Sequence, residues 1–306
     1  LKETAANVKQ HKRHNRLFRF SRFSSIRKPA ATSHALTKPI SILITGASGG
    51  IGKALACDHA RPGSSLALWG RNAGRLRDVA QICRERGASV LTREIDLADG
   101  PMALAAFRAD DDKLHFDTVI LCAGLSDMKT ASEKTERAET VLELGLVNYA
   151  VPSALTMAAA DRMQARGGGR IALIGSVAAY HDLPFAAGYG GSKAGLARFA
   201  SSARMALAPL GVKVVLIAPG FVDTDMSRRI IGPRPFLVTP EAASRHIIAA
   251  LAHNKGETIF PWPFRLLRLI DRLTPGIIRR VIMTRINADQ RPRQGDSTKP
   301  ASKQTA

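Results

Sequence analysis

From Pro39 to about residue 260 the chain alternates short apolar runs with longer helical stretches, and this constrains its fold more than any other feature. The runs at 40–45, 65–70, 88–91, 118–121, 171–175 and 212–217 are brief and mostly apolar or β-branched. Helical patterns at 50–61, 73–86, 140–166 and 188–210 separate them. Strands that are apolar on both sides, joined by helices of this length, predict a parallel sheet covered on both faces. No internal repeat or low-complexity linker interrupts 39–260, so this stretch reads as one α/β domain.

The first strand runs into Thr45-Gly46-Ala47-Ser48-Gly49-Gly50-Ile51-Gly52 and then into a helix. Glycines there let a backbone approach a pyrophosphate, and the helix N-terminus supplies N–H donors and positive potential. Gly46, Ser48, Gly50, Ile51 and Gly52 are therefore candidate phosphate contacts. At the end of the second strand stands Trp69-Gly70-Arg71-Asn72. An acid there would bind a ribose 2′-hydroxyl, whereas the Arg71 guanidinium matches a 2′-phosphate in charge and geometry. Further on, Tyr189 and Lys193 fall at i and i+4 of a helical pattern and so share one face. A free phenol titrates near 10, and a neighbouring ammonium stabilises the phenolate. Alone, that spacing also arises by chance in helices. Ser176, thirteen residues before Tyr189 and just after an apolar run, and Asn148, inside the 140–166 helix, add polar groups that complete a constellation.

The T-G-x-x-x-G-x-G turn, Tyr189-x-x-x-Lys193 and the Ser176 spacing resemble a classical short-chain dehydrogenase/reductase, over roughly residues 40–260. The resemblance implies a Rossmann-type doubly wound parallel sheet and an NADP(H)-dependent oxidoreductase acting on a carbonyl or alcohol. NAD(H) is the less favoured cofactor because Gly70 stands where the NAD-dependent members carry an acid. It also implies roles by position. Asp96 contacts adenine, Ala123 and Gly124 let the backbone pass the cofactor, and Pro219, Gly220, Val222 and Thr224 contact the nicotinamide carboxamide. Ser176 binds the substrate oxygen, Tyr189 is the acid–base group, and Lys193 lowers the Tyr189 pKa and binds the ribose. Asn148 holds a water that links Lys193 to solvent. Cys122 departs from the pattern, since the family usually has Asn there.

Composition bounds the partners. The formal charge is +20, but residues 1–38 hold ten Lys/Arg against one acid, and residues 226–306 hold fifteen against five. The stretch 39–225 has twenty bases and nineteen acids, so a nearly neutral body carries two basic ends and no nucleic-acid partner is expected. Cys57, Cys83 and Cys122 show neither metal spacing nor a disulfide framework, so no metal is expected and a reducing, cytoplasmic setting is. No run of about 18 apolar residues predicts a transmembrane helix. Residues 1–38 read as a basic, disordered extension with some resemblance to a transit peptide, and 287–306 as a disordered tail. Between them, 261–286 reads as a basic amphipathic helical extension of the domain. Arg265, Arg268 and Arg272 sit beside Phe264, Leu267, Ile270 and Leu273, and Arg279, Arg280 and Arg285 repeat the theme. That pattern suits an anionic membrane surface, hence a peripheral membrane location and a lipid-like substrate, or equally a helix pair packed on protein. A homo-oligomer paired through 140–166 and 188–210 is implied by the resemblance. The reading of another class is a non-catalytic NADP-binding sensor or scaffold.

Overall fold

The computed structural model describes residues 40–130, 133–285 and 289–291. The strands are β1 (Ile40–Thr45), β2 (Ser64–Gly70), β3 (Ser89–Glu94), β4 (Thr118–Leu121), β5 (Gly169–Ile174), β6 (Val212–Pro219), β7 (Ile230–Ile231), β8 (Glu257–Phe260) and β9 (Asp289–Gln290). Seven of them form a parallel sheet in the order β3-β2-β1-β4-β5-β6-β8. The order reverses direction at β1, which opens a crevice at the strands' carboxyl ends.

Helices α1 (Gly50–His59), α2 (Ala73–Glu85) and α8 (Pro240–Ala252) cover one face. The other is covered by α3 (Gly100–Leu114), α4 (Ala138–Gly145), α5 (Val151–Ala165) and α6 (Ala187–Leu207). β1 shows why the strands read as unbroken apolar runs. Leu43 packs into the cluster with Phe107, Leu155 and Leu196, while Ile42 and Ile44 pack with Leu55, Val79 and Ile247. Successive side chains point to opposite faces, and both faces are core.

Local signals place the helix starts. Asn72 Oδ1 accepts from Arg75 N at 2.8 Å, Asp99 Oδ1 from Met102 N at 2.9 Å, and Thr239 Oγ1 from Ala242 N at 3.2 Å. Helix α3 has no counterpart in the sequence reading, because Asp110-Asp111-Asp112 breaks its apolar pattern. Two of those acids are fully buried. Asp110 accepts from Trp69 Nε1 at 2.9 Å and from the Arg93 guanidinium. Asp111 accepts from Arg166 at 2.8 and 2.9 Å and from Phe116 N. Their partners are distant in sequence, so the helix becomes legible only once the sheet is assembled.

The helix anticipated at 140–166 runs continuously from Ala138 to Ala165 but widens into a π turn at Leu146–Ala150, where Val151 N donates to Leu146 O. It is 28 residues long and apolar enough, by length and composition, to cross a membrane, although no such span was expected from the sequence. Its apolar side packs into the core through Leu144, Val147, Val151, Leu155 and Met163.

Two boundaries differ from the sequence reading. β3 extends to Glu94, beyond the apolar run at 88–91, because its polar residues alternate at a sheet edge. The tail assigned to disorder from 287 contains β9, which pairs antiparallel with β7, while Gln290 Nε2 donates to Ser126 O at 2.8 Å and its Oε1 accepts from Met128 N at 3.1 Å. The expectations for residues 1–38 and for 292–306 lie outside the described residues. After β6 come the single turn α7 (Asp225–Arg228) and, beyond β8, α9 (Pro263–Leu273) and α10 (Gly276–Arg285).

Candidate active site

A cavity of about 940 Å³ lies along the carboxyl ends of β1, β2, β4, β5 and β6. Gly46, Ser48, Gly50, Ile51, Gly52, Arg71, Asp96, Ala123, Gly124, Ser176, Tyr189, Lys193, Pro219, Gly220, Val222 and Thr224 all line it. Asn148 does not; it is wholly buried behind the wall.

At one end, Gly46 has φ of 70°, and a Cβ there would stand 2.8 Å from Ala123 Cα. A Cβ on Gly52 would collide with Gly46 O. The turn is therefore closed to side chains, and the first N–H groups of α1 are offered to the cavity. Gly70 has a related constraint, because a Cβ would lie 2.8 Å from Ser48 Oγ. No acid can enter there without displacing Ser48. Arg71 flanks the same end, 3.9 Å from Glu143. Arg75, which the sequence reading passed over, also lines it and pairs with Asp225 at 3.0 Å across the cleft. Its signal was its place in the first turn of α2, one helical turn after Arg71. Asp96 Oδ1 accepts from Ala98 N at 3.0 Å, which fixes the turn after β3. Cys122 carries no amide, and the β4 end is instead held by Thr45, whose Oγ1 accepts from Cys122 N and Ala123 N at 3.0 Å each. Thr45 is a second residue the sequence reading missed.

At the other end, Ser176 caps a single 3₁₀ turn, its Oγ accepting from Ala178 N at 3.2 Å. Its hydroxyl also acts on that of Tyr189, in the first turn of α6. Burial raises the Tyr189 pKa above the usual phenol value, and the neighbouring Ser176 hydroxyl pulls the other way. Lys193 is 5% exposed, and its Nζ donates to Ile174 O at 3.0 Å. Burial brings its pKa down to about 8. Burial also pushes the Cys122 thiol up to about 12, so it remains a neutral S–H. Ser176 favours the Tyr189 phenolate, while the Lys193 ammonium is held by a carbonyl and disfavoured by burial.

Asn148 is also engaged more fully than the resemblance implied. Its Nδ2 donates to Leu125 O at 2.9 Å and Ser192 Oγ at 3.1 Å, and its Oδ1 accepts from Leu125 N at 2.8 Å. Both amide donors are taken, so the side chain clamps the β4 edge to α6 and keeps only lone-pair capacity for a water. Thr224 Oγ1 accepts from Ser227 N at 3.3 Å as the cap of α7, and Gly220 N donates to Phe260 O at 2.8 Å. These groups shape the P-G segment as well as facing the cavity.

The remaining wall is largely apolar. Phe185, Phe221, Phe264, Leu267, Ile270, Ile282 and Met283 line it, with His181, Asp271 and Arg279 as a polar group on the same side. Asp271 lies 3.8 Å from His181 Nδ1 and 3.9 Å from Arg279. The closed glycine turn, the cationic end and the tyrosine–lysine end belong to one cleft, which fits an extended dinucleotide with its phosphates on α1.

Residues 41–233 match the family model described as short chain dehydrogenase. An uncharacterized oxidoreductase of Mycobacterium tuberculosis is 33% identical over 244 residues, covering 78% of this chain and 95% of the relative. Dehydrogenase/reductase SDR family member 7B of Bos taurus is 29% identical, covering 82% of each chain. A solved short-chain dehydrogenase from Sphingobium yanoikuyae, in complex with NADPH, superposes with a TM-score of 0.67 at 26% identity, covering 81% of this chain and 96% of that one.

Proposed function

The chain belongs to the short-chain dehydrogenase family of oxidoreductases, and on that premise we propose that it uses NADP(H) to interconvert a bulky, lipid-like ketone and its alcohol. The observation that carries this reading is the convergence of Ser176, Tyr189 and Lys193 at one end of the cleft whose other end is the glycine turn flanked by Arg71 and Arg75. Two guanidinium groups, and a Gly70 that excludes an acid, favour the 2′-phosphate of NADP(H). The NADPH bound by the Sphingobium relative supports the same choice. The aromatic and aliphatic wall favours an apolar substrate.

Bound in this cleft, the dinucleotide supplies a hydride in reduction and accepts one in oxidation. Gly46, Ser48, Gly50, Ile51 and Gly52 would hold its phosphates, with Asp96 at the adenine and Pro219, Gly220, Val222 and Thr224 about the nicotinamide. The protein's own groups handle the proton. Ser176 Oγ and the Tyr189 hydroxyl both donate to the carbonyl oxygen, and Tyr189 releases its proton to that oxygen as the alcohol forms. The resulting phenolate is then favoured by Ser176 and by the Lys193 charge, which also anchors the ribose. Asn148 keeps Leu125 and Ser192 in place around Lys193.

Leu142, Tyr149, Met157 and Met205, exposed on α4–α6, support pairing with a second copy. The test is NADPH and NADH oxidation against ketones of graded chain length. NADPH preference, with kcat/KM rising as the chain lengthens, supports the reading. NADH preference, or no turnover of any ketone with either cofactor, would sink it.

A further inference from the structure

Helix α9 presents three distinct faces. Phe264 and Leu267 point into the cleft. Beside them Arg265, Arg268 and Arg272, at i, i+3 and i+7, line a second, shallow cavity of about 260 Å³ with Glu257, Ile259 and Leu269. The third face is apolar and open to water. Trp262 is 71% exposed and Leu273 73%, with Leu266 and Leu269 between them. Helix α10 adds further exposed apolar side chains, Ile277 at 83% exposure, Ile278 and Val281. Large apolar side chains left open in this number over two adjoining helices are uncommon on a protein that stays in water.

Charge decides what covers it. Across α9 and α10 six arginines stand against one acid, Asp271, which faces inward and pairs with Arg279. Glu257 of β8 is already engaged by Arg268 and by the Tyr180 hydroxyl. A second copy of this chain would bring the same arginine row against itself. We propose that the outer face of α9–α10 docks on an anionic phospholipid bilayer, with Trp262, Leu266, Leu273 and Ile277 entering the acyl boundary. The Arg265–Arg268–Arg272 cavity then receives a lipid phosphate, whose oxygens suit paired guanidinium donors.

The docking claim stands on the surface alone. Its consequence for substrate rests on the oxidoreductase reading. Because Leu267, Ile282 and Met283 of these two helices line the cleft, docking brings the cleft wall to the lipid, and the ketone or alcohol is drawn from the bilayer.

The test exploits the tryptophans. The chain has two, and Trp69 is wholly buried, so Trp262 alone reports on this face. Full-length protein is mixed with vesicles of phosphatidylcholine, with or without phosphatidylserine, carrying brominated acyl chains. Quenching of Trp262 that requires phosphatidylserine is expected. The double variant Arg265→Gln/Arg272→Gln should bind such vesicles about thirtyfold more weakly, because each surface cation contributes about 1 kcal/mol. Leu266→Asp/Leu273→Asp should abolish the quenching. Vesicle binding without quenching places the contact elsewhere and overturns the proposal. So does self-association that Leu273→Asp abolishes, which assigns the face to a second copy. Turnover of a water-soluble ketone without vesicles is measured in parallel on wild type and variants. Its failure would remove the oxidoreductase reading and leave the quenching result to decide docking.

Discussion

At the residue scale, the site's chemistry is a contest between burial and specific partners. Tyr189→Phe removes the group proposed to transfer its proton to the substrate oxygen and leaves the dinucleotide cradle intact. Turnover should fall by about a thousandfold, within the range of general acid catalysis, while NADPH binding measured by fluorescence is unchanged. Lys193 makes an opposite pair of effects. Its folded-state pKa of about 8 lies below the usual 10.5, so between those values the unfolded chain binds more protons. The cost of the buried charge is therefore full below pH 8 and is relieved as pH rises toward 10.5. Lys193→Met should abolish turnover yet stabilise the protein at pH 7, by at most about 3 kcal/mol. The gain should shrink as melting is followed from pH 8 to 10.5, and a gain that ignores pH would refute the account. Arg71→Ala should raise KM for NADPH by about tenfold to a hundredfold, the worth of one charge-assisted hydrogen bond, and leave KM for NADH unchanged.

At the element scale, two pieces outside the motifs tie separate segments together. Asp111 of α3 is fully buried and joins Arg166, beyond the end of α5, to the Phe116 N–H. Asp111→Ala would remove the carboxylate that this guanidinium shares with the Phe116 N–H, and urea denaturation should register a loss of about 1–3 kcal/mol. The short β7–β9 ladder is the other piece. Gln290 reaches across to Ser126 and Met128, both on the cleft wall, and Arg229 pairs with Asp127 at 2.7 Å between them. Gln290→Ala should raise the substrate KM several-fold and leave the cofactor KM alone. A matched rise in both would mean the ladder supports the whole fold rather than the substrate side.

At the scale of the whole molecule, the cleft draws on both layers of the sheet, from the glycine turn of α1 to the inner faces of α9 and α10. A ligand spanning it ties together elements from both faces of the sheet. NADPH at a hundred times its Kd should stabilise the fold by about 2.7 kcal/mol. In a thermal melt that corresponds to about 5–10 °C, with a smaller shift for NADH at equal concentration. The reverse order would contradict the cationic reading of Arg71 and Arg75.

The sequence by itself determined the parallel α/β sheet, the glycine turn after β1 and the spacing of Ser176, Tyr189 and Lys193. These rest on local periodicity and on short separations along the chain, which a linear reading can see. Helix α3, the clamp made by Asn148, the Thr45 support under Cys122 and the β7–β9 ladder were decided only in three dimensions. Each depends on a partner far away in the chain: Arg93 and Arg166 for the buried acids, Leu125 and Ser192 for Asn148, Ser126 and Met128 for Gln290. The open choice between protein and membrane for 261–286 changed character for the same reason. The helical spacing announced an amphipathic pair, but only the packed structure separated an inner apolar face, which walls the cleft, from an outer one that still faces water.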